Sequence, residues 1–215
     1  MDAIVNTVST EKSSINLMFG VPGCGKTAAL NYIIHELNAI YNLQDEDEIY
    51  EDKGMLYILI IPPSVAEMVG SDAFNNILLD LDAGPNDVPA TVLVVIEDSA
   101  QLIQNNEIRS RYTSGLLGLV DGIESKLFRN RFHVLLTYNV PEDYRYNEEE
   151  FRNDPTIDPA ILREGRLKHH IFFRPLMPLK TAAWCKEKGI EPLEAEMPLS
   201  SLYSYYQHES SLRGK

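Results

Sequence analysis

Gly20-Val21-Pro22-Gly23-Cys24-Gly25-Lys26-Thr27 decides the fold. It spells G-x-x-x-x-G-K-T, the spacing of a phosphate-binding loop. On its N-terminal side Ile15-Asn16-Leu17-Met18-Phe19 reads as a short buried strand. On its C-terminal side Ala28 to Ile40 carries apolar residues at Leu30, Ile33, Ile34, Leu37 and Ile40, which is a helical period. Strand, glycine loop and helix are the setting the motif needs. Glycines let the backbone turn so that successive N–H groups point at a β-phosphate, and the helix N-terminus adds partial positive charge. Gly20, Pro22, Gly23, Cys24, Gly25, Lys26, Thr27 and Ala28 are the expected phosphate-binding residues. Lys26 would reach the β- and γ-phosphates, and the Thr27 hydroxyl would ligate Mg²⁺. The motif implies a chain that binds a nucleoside triphosphate or descends from one that did.

Outward from the loop, the flanks are informative in unequal measure. Residues 1–14 are polar and read as an irregular lead, which leaves no room for a separate N-terminal substrate domain. The acidic stretch Gln44-Asp45-Glu46-Asp47-Glu48 with Glu51-Asp52 reads as a solvated surface loop. Met55 to Ile61 is a buried strand stopped by Pro62-Pro63, and Ser64–Gly70 and Asp72–Leu81 read as short helices before a turn at 82–87. Thr91-Val92-Leu93-Val94-Val95-Ile96 is the most hydrophobic run and closes in Glu97-Asp98. A central parallel strand with acids at its C-terminal edge can present them to Mg²⁺ and an attacking water. Arg109 to Leu127 follows as an amphipathic helix with Tyr112, Leu116, Leu119, Val120 and Ile123 on one face. Phe132 to Tyr138 is the next strand, with Asn139 at its tip.

Residues 140–157 form a loop rich in Tyr, Asp, Glu and Asn, either a solvated excursion or an insertion that contacts a partner. Asp158-Pro159-Ala160-Ile161-Leu162-Arg163-Glu164-Gly165-Arg166-Leu167 reads as a helix start whose two arginines, three apart, share one face. His169 to Phe173 is the last strand, and Lys180–Lys188 and Leu199–Tyr206 read as small helices. Alternating strands and helices predict an α/β sandwich with a mainly parallel sheet. The domain reading is a lead at 1–14, a core at 15–176 and a helical remainder at 177–215.

Bulk properties narrow the function. The chain has 215 residues and a formal net charge of −13, which disfavours broad contact with nucleic acid backbones. Its 2 cysteines have no metal-ligand spacing, and such sparse use fits a reducing, cytoplasmic compartment. Cys24 lies inside the glycine loop. Either the surrounding N–H groups lower its pKa and make it oxidisable, or it fills a variable position. No apolar run approaches the length of a membrane span.

Taken in order, the loop at Gly20–Thr27, the acids Glu97-Asp98, the polar strand end Thr137-Tyr138-Asn139 and the arginine segment Asp158–Arg166 resemble the AAA family of ATPases. Asp158–Leu167 is similar to that family's D-P-A-L-L-R-x-G-R segment. Ser114-Gly115-Leu116-Leu117-Gly118-Leu119-Val120-Asp121-Gly122 and the Glu-Asp order resemble the subgroup of the mitochondrial Rieske-protein translocase and its small bacterial and phage relatives. The resemblance implies a P-loop NTPase three-layer sandwich, an AAA+ module with a reduced C-terminal helical lid. It implies ATP or ADP with Mg²⁺ as ligands, Glu97 as the metal-associated acid, Asp98 as the catalytic base and Asn139 as the sensor that orients the attacking water. Arg163 and Arg166 would be arginine fingers that reach the nucleotide of a neighbouring subunit, a contribution worth on the order of 10³-fold in rate. A ring of identical subunits acting on a protein partner is the implied working form.

Particular residues depart from that family's pattern. Asp98 is one methylene shorter than the usual base, which predicts slow hydrolysis. Ile61-Pro62-Pro63-Ser64-Val65-Ala66 offers no aromatic for a central pore loop. Residues 177–215 are short for a lid and carry no second sensor arginine, with Arg213 placed in a frayed tail. These features keep open a nucleotide-gated assembly protein with slow or no hydrolysis. A DNA-loading role shares the fold and is disfavoured by the acidic balance.

Overall fold

The computed structural model describes residues 1–42, 54–69, 71–82, 89–99, 111–121, 130–155, 157–163 and 165–213. Strands β1 (Ser13–Gly20), β2 (Leu56–Ile61), β3 (Thr91–Ile96), β4 (Arg131–Asn139) and β5 (Leu167–Phe173) form one sheet in the order β2-β3-β4-β1-β5. Every neighbouring pair is parallel. β3 is buried at each position, the continuous apolar run that a parallel strand covered on both faces requires. Its alternation sends Val92, Val94 and Ile96 into one layer and Leu93 and Val95 into the other.

The first layer packs α3 (Asp72–Asp82) and α4 (Arg111–Asp121) on the sheet through Phe74, Leu78, Leu116 and Val120. The second packs α1 (Asp2–Thr10) and α2 (Lys26–Asn42) on the opposite face through Ile4, Val8, Ile33 and Leu37. Helices on both faces of a parallel sheet give the expected α/β sandwich. The acidic run at 44–52, most of the turn at 82–87, and the expected start and end of α4, with Ile123, lie outside the described residues. After β2 the chain forms a short 3-10 helix over Pro63–Met68.

Three expectations need correction. The first residues are not an irregular lead: α1 buries Ile4, Val5, Thr7 and Val8. The Thr7 hydroxyl meets His169 Nε2 at 2.8 Å, Tyr32 donates to Asp2 at 3.0 Å, and Arg131 donates to Ser9 O at 2.5 Å. Only three apolar residues carry that helical face, too few to stand out in a polar stretch.

The loop at 140–157 is not a solvated excursion. It contains α5 (Glu148–Arg152), capped by the Asn147 side chain, which accepts from Glu149 N and Glu150 N. Phe151 is fully buried and stacks on Phe19 at 4.8 Å, and Tyr144 and Tyr146 pack against the same ring. Glu148 joins Tyr146, His170 and Arg152, which ties the loop to β5. These contacts hold the carboxyl of Glu148 down to about 2, with the Tyr146 hydroxyl as the largest cause.

The last helix does not fray before Arg213. Past α6 (Pro159–Leu162) and β5, α7 (Pro178–Glu187) and α8 (Leu199–Arg213) enclose a small core of Cys185, Ile190 and Leu202. No helix among the described residues is long and apolar enough to cross a membrane.

Candidate functional site

Parallel strands end on one edge, so the residues that close β1, β3 and β4 are brought together without any further device. Ile96 is level with Leu136 and Gly20 with Asn139. Glu97 and Asp98 therefore emerge beside Thr137 and Tyr138, with β4 standing between the glycine loop and the acids. Gly23, Gly25, Lys26 and Thr27 line one side of a cleft of about 440 Å³, and Glu97, Asp98, Thr137 and Asn139 line the other. That volume lies in the range of small-ligand sites, about 300–1,000 Å³.

The glycines of the loop answer to two demands. Gly23 has φ +76°, a conformation that side chains rarely adopt, and a Cβ there would lie 2.0 Å from Ser200 Oγ. A Cβ at Gly20 would lie 2.0 Å from the carbonyl oxygen of Phe173 at the end of β5. Ser200 N donates to Gly23 O at 3.0 Å, so the first turn of α8 rests on the loop. Leu199, Ser200 and Tyr203 form the C-terminal wall of the cleft. Nothing in the sequence pattern of 198–203 singled these residues out; only the fold brings them to the loop.

Lys26 Nζ donates to Gly20 O at 2.9 Å and to Val21 O at 3.1 Å. Burial lowers its pKa, opposed by the nearby Cys24 and Asp98. Cys24 is buried, and burial pushes its thiol pKa up despite the Lys26 charge. The activated, oxidisable thiolate expected as one alternative is thus overturned: the loss of hydration outweighs the local positive charge.

Asp98 adopts φ +49°, unlike every other non-glycine residue described. Asn139 Nδ2 donates to its Oδ1 at 2.7 Å, and Asp98 N donates to Thr137 Oγ1 at 3.3 Å. Ser99 N and Ser99 Oγ both donate to Thr137 O, at 2.8 and 2.9 Å. Both residues are buried; Ser99 was not anticipated, and Thr137 was noted only as part of the polar strand end, with no role of its own. Each is an ordinary polar residue until the two strands are set side by side.

The arginines part company. α6 ends at Leu162, and Arg163 turns out of it at φ −57°, ψ 139°. Arg163 and Arg166 therefore do not share a helical face, contrary to the expectation from spacing. Asp158 caps the start of the helix, its side chain accepting from Ala160 N at 2.8 Å, and Arg166 Nη1 donates back to Ala160 O at 2.8 Å. Arg163 is exposed.

The donor set suits a hard cation bound with a phosphate ester. Thr27 brings a hydroxyl, and Glu97 and Asp98 bring carboxylates to the same cleft, which is the oxygen chemistry that Mg²⁺ takes. The positive-φ turn at Gly23 supplies the backbone cradle that phosphate oxygens need.

No protein-family profile matches the chain. A chain of the solved HORMA:CdnC:Trip13 complex of E. coli MS115-1 is similar in fold, with a TM-score of 0.53 and 17% identity across 87% of this chain. The present chain spans 57% of that chain's length. At this identity the likeness speaks to the fold.

Proposed function

We propose that this chain is an AAA-type ATPase that binds ATP with Mg²⁺ in the cleft, hydrolyses it, and assembles into a ring acting on a protein partner. One observation carries the reading. The glycine loop, the acid pair and Asn139 come from three separate strands and line a single cleft in the order that γ-phosphate hydrolysis needs.

In this reading Lys26 leaves Gly20 O and Val21 O for the phosphate oxygens. Thr27 and Glu97 would hold Mg²⁺, which would supply charge neutralisation to the bound phosphates. Asn139 orients a water in line with the γ-phosphorus. Asp98 takes the water proton as the new P–O bond forms and the bond to the bridging oxygen breaks, with ADP leaving. Arg163 of a neighbouring subunit steadies the charge of the transferring group, and Arg166 holds the segment that presents it. The solved chain of similar fold comes from a complex of several proteins, which supports looking for a protein partner here.

A second reading, nucleotide-gated assembly with slow or no hydrolysis, draws on the engaged state of Asp98. Its Oδ1 accepts from Asn139 at 2.7 Å, so the two groups that would act on the water are paired with each other. Steady phosphate release by the wild-type chain at ordinary enzymatic rates, on the order of 1 s⁻¹ or faster, would favour hydrolysis over gating.

The test is binding of a fluorescent ATP analogue with Mg²⁺, alongside phosphate release. Wild type is expected to bind it, and Lys26→Ala to lose binding while keeping its fold. A wild-type chain with no affinity for ATP or ADP overturns both readings.

A further inference from the structure

Asp98 occupies a backbone conformation that carries a cost for any residue with a side chain. Something must hold it there, and the structure assigns that task to Thr137 and Ser99 of the adjoining strand end and turn. The inference rests on the ATPase reading for its consequence, although the geometry stands without it.

β3 stops at Ile96, and the turn that follows has no strand partner of its own to fix it. β4 runs on beside it to Asn139 and acts as a template. Thr137 meets the turn three times: its hydroxyl accepts from Asp98 N at 3.3 Å, and its carbonyl accepts twice from Ser99. Two residues on, Asn139 grips the Asp98 carboxylate from the same strand. Backbone and side chain of Asp98 are thus both referenced to β4, and β4 is bonded along its length to β1, whose last residue opens the glycine loop. The distance between base and phosphate loop is set through one rigid strand rather than through the free turn.

Thr137 is therefore a positioning residue for Asp98. Thr137 is buried, 4% exposed, while Asp98 is exposed, so losing the hydroxyl acceptor leaves the Asp98 N–H to water and the turn without that contact to β4. Displacing a reacting group by about 1 Å costs on the order of 10²-fold in rate.

The experiment uses Thr137→Val, which keeps the shape and removes the acceptor, and Thr137→Ser, which keeps the acceptor. In Thr137→Val, kcat is expected to fall about 10²-fold with KM for MgATP little changed, and Thr137→Ser is expected to stay near wild type. An unchanged kcat in the Val variant overturns the assignment, as does a Ser variant that falls as far as Val, since that pattern means packing alone. Amide hydrogen exchange supplies a readout that does not need hydrolysis. Asp98 N–H should exchange faster in Thr137→Val while Ser99 N–H, bonded to a backbone carbonyl, stays protected. Unchanged Asp98 protection sinks the inference even where wild type proves not to turn over ATP. Absent nucleotide binding by wild type, together with the expected exchange pattern, sinks the ATPase reading and leaves the geometry.

Discussion

Asp98 shows why a single residue type can be a compromise between chemistry and backbone. Among residues with side chains, Asp and Asn enter the left-handed region most readily, because a short polar group bonds locally there. Glu, one methylene longer, lacks that ease. An Asp after Glu97 thus suits a turn with φ +49° after β3, and the shorter carboxylate is the acid that this turn accommodates more readily.

At the far end of the same strands His133 carries a different charge problem. It is fully buried, with Nδ1 2.8 Å from Ser14 Oγ. Burial, with the Arg131 charge adding to it, pushes its pKa from 6.5 down to about 4. The folded chain keeps the ring neutral over a range in which the unfolded chain protonates it. That contribution is fully present above about pH 6.5 and is lost as pH falls toward 4, on the order of 3 kcal/mol in all. Urea denaturation across this range is expected to show stability falling on acidification. The Ser14→Ala/His133→Leu pair should flatten the slope.

Among the elements, what could be read in advance divides by the kind of signal involved. β1, β3 and β4 were legible because buried parallel strands are written as unbroken apolar runs, and the site residues at their ends came with them. α1 was not, since Ile4, Val5 and Val8 mean little until the faces of α2 and the sheet are there to receive them. The aromatic packing of 140–157 was hidden for a similar reason. Tyr144, Tyr146 and Phe151 are scattered among acids, and their common target is Phe19, far away in sequence. Phe19 also stacks on Tyr138 at 5.4 Å and contacts Phe172. The loop is therefore part of the core beneath the site. Phe151→Ala is expected to cost about 3–5 kcal/mol in chemical denaturation. A loss under 1 kcal/mol would mean the loop packs only weakly.

For the molecule as a whole, the feature of the arginine segment that bears on assembly is Arg163. Arg163 projects from the end of a very short helix, exposed to solvent, whereas Arg166 is bonded within its own segment. If Arg163 completes a neighbour's site, turnover per subunit should rise with protein concentration in step with mass by light scattering. Arg163→Ala should keep nucleotide affinity while losing on the order of 10³-fold in turnover. Concentration-independent turnover, or an unaffected Arg163 variant, would place all the needed charge within one subunit.

The rest of α8 on the glycine loop bears on the order in which the chain is made. A ribosome releases Gly20–Thr27 well before Pro198, Leu199 and Ser200, which close over Gly23 and Gly25. The loop must therefore wait, one flank bare, until translation has passed Ser200. A nascent chain that stops short of α8 would hold the motif intact yet lack the packing that shapes it, leaving the growing polypeptide without a finished pocket before α8 is out of the tunnel.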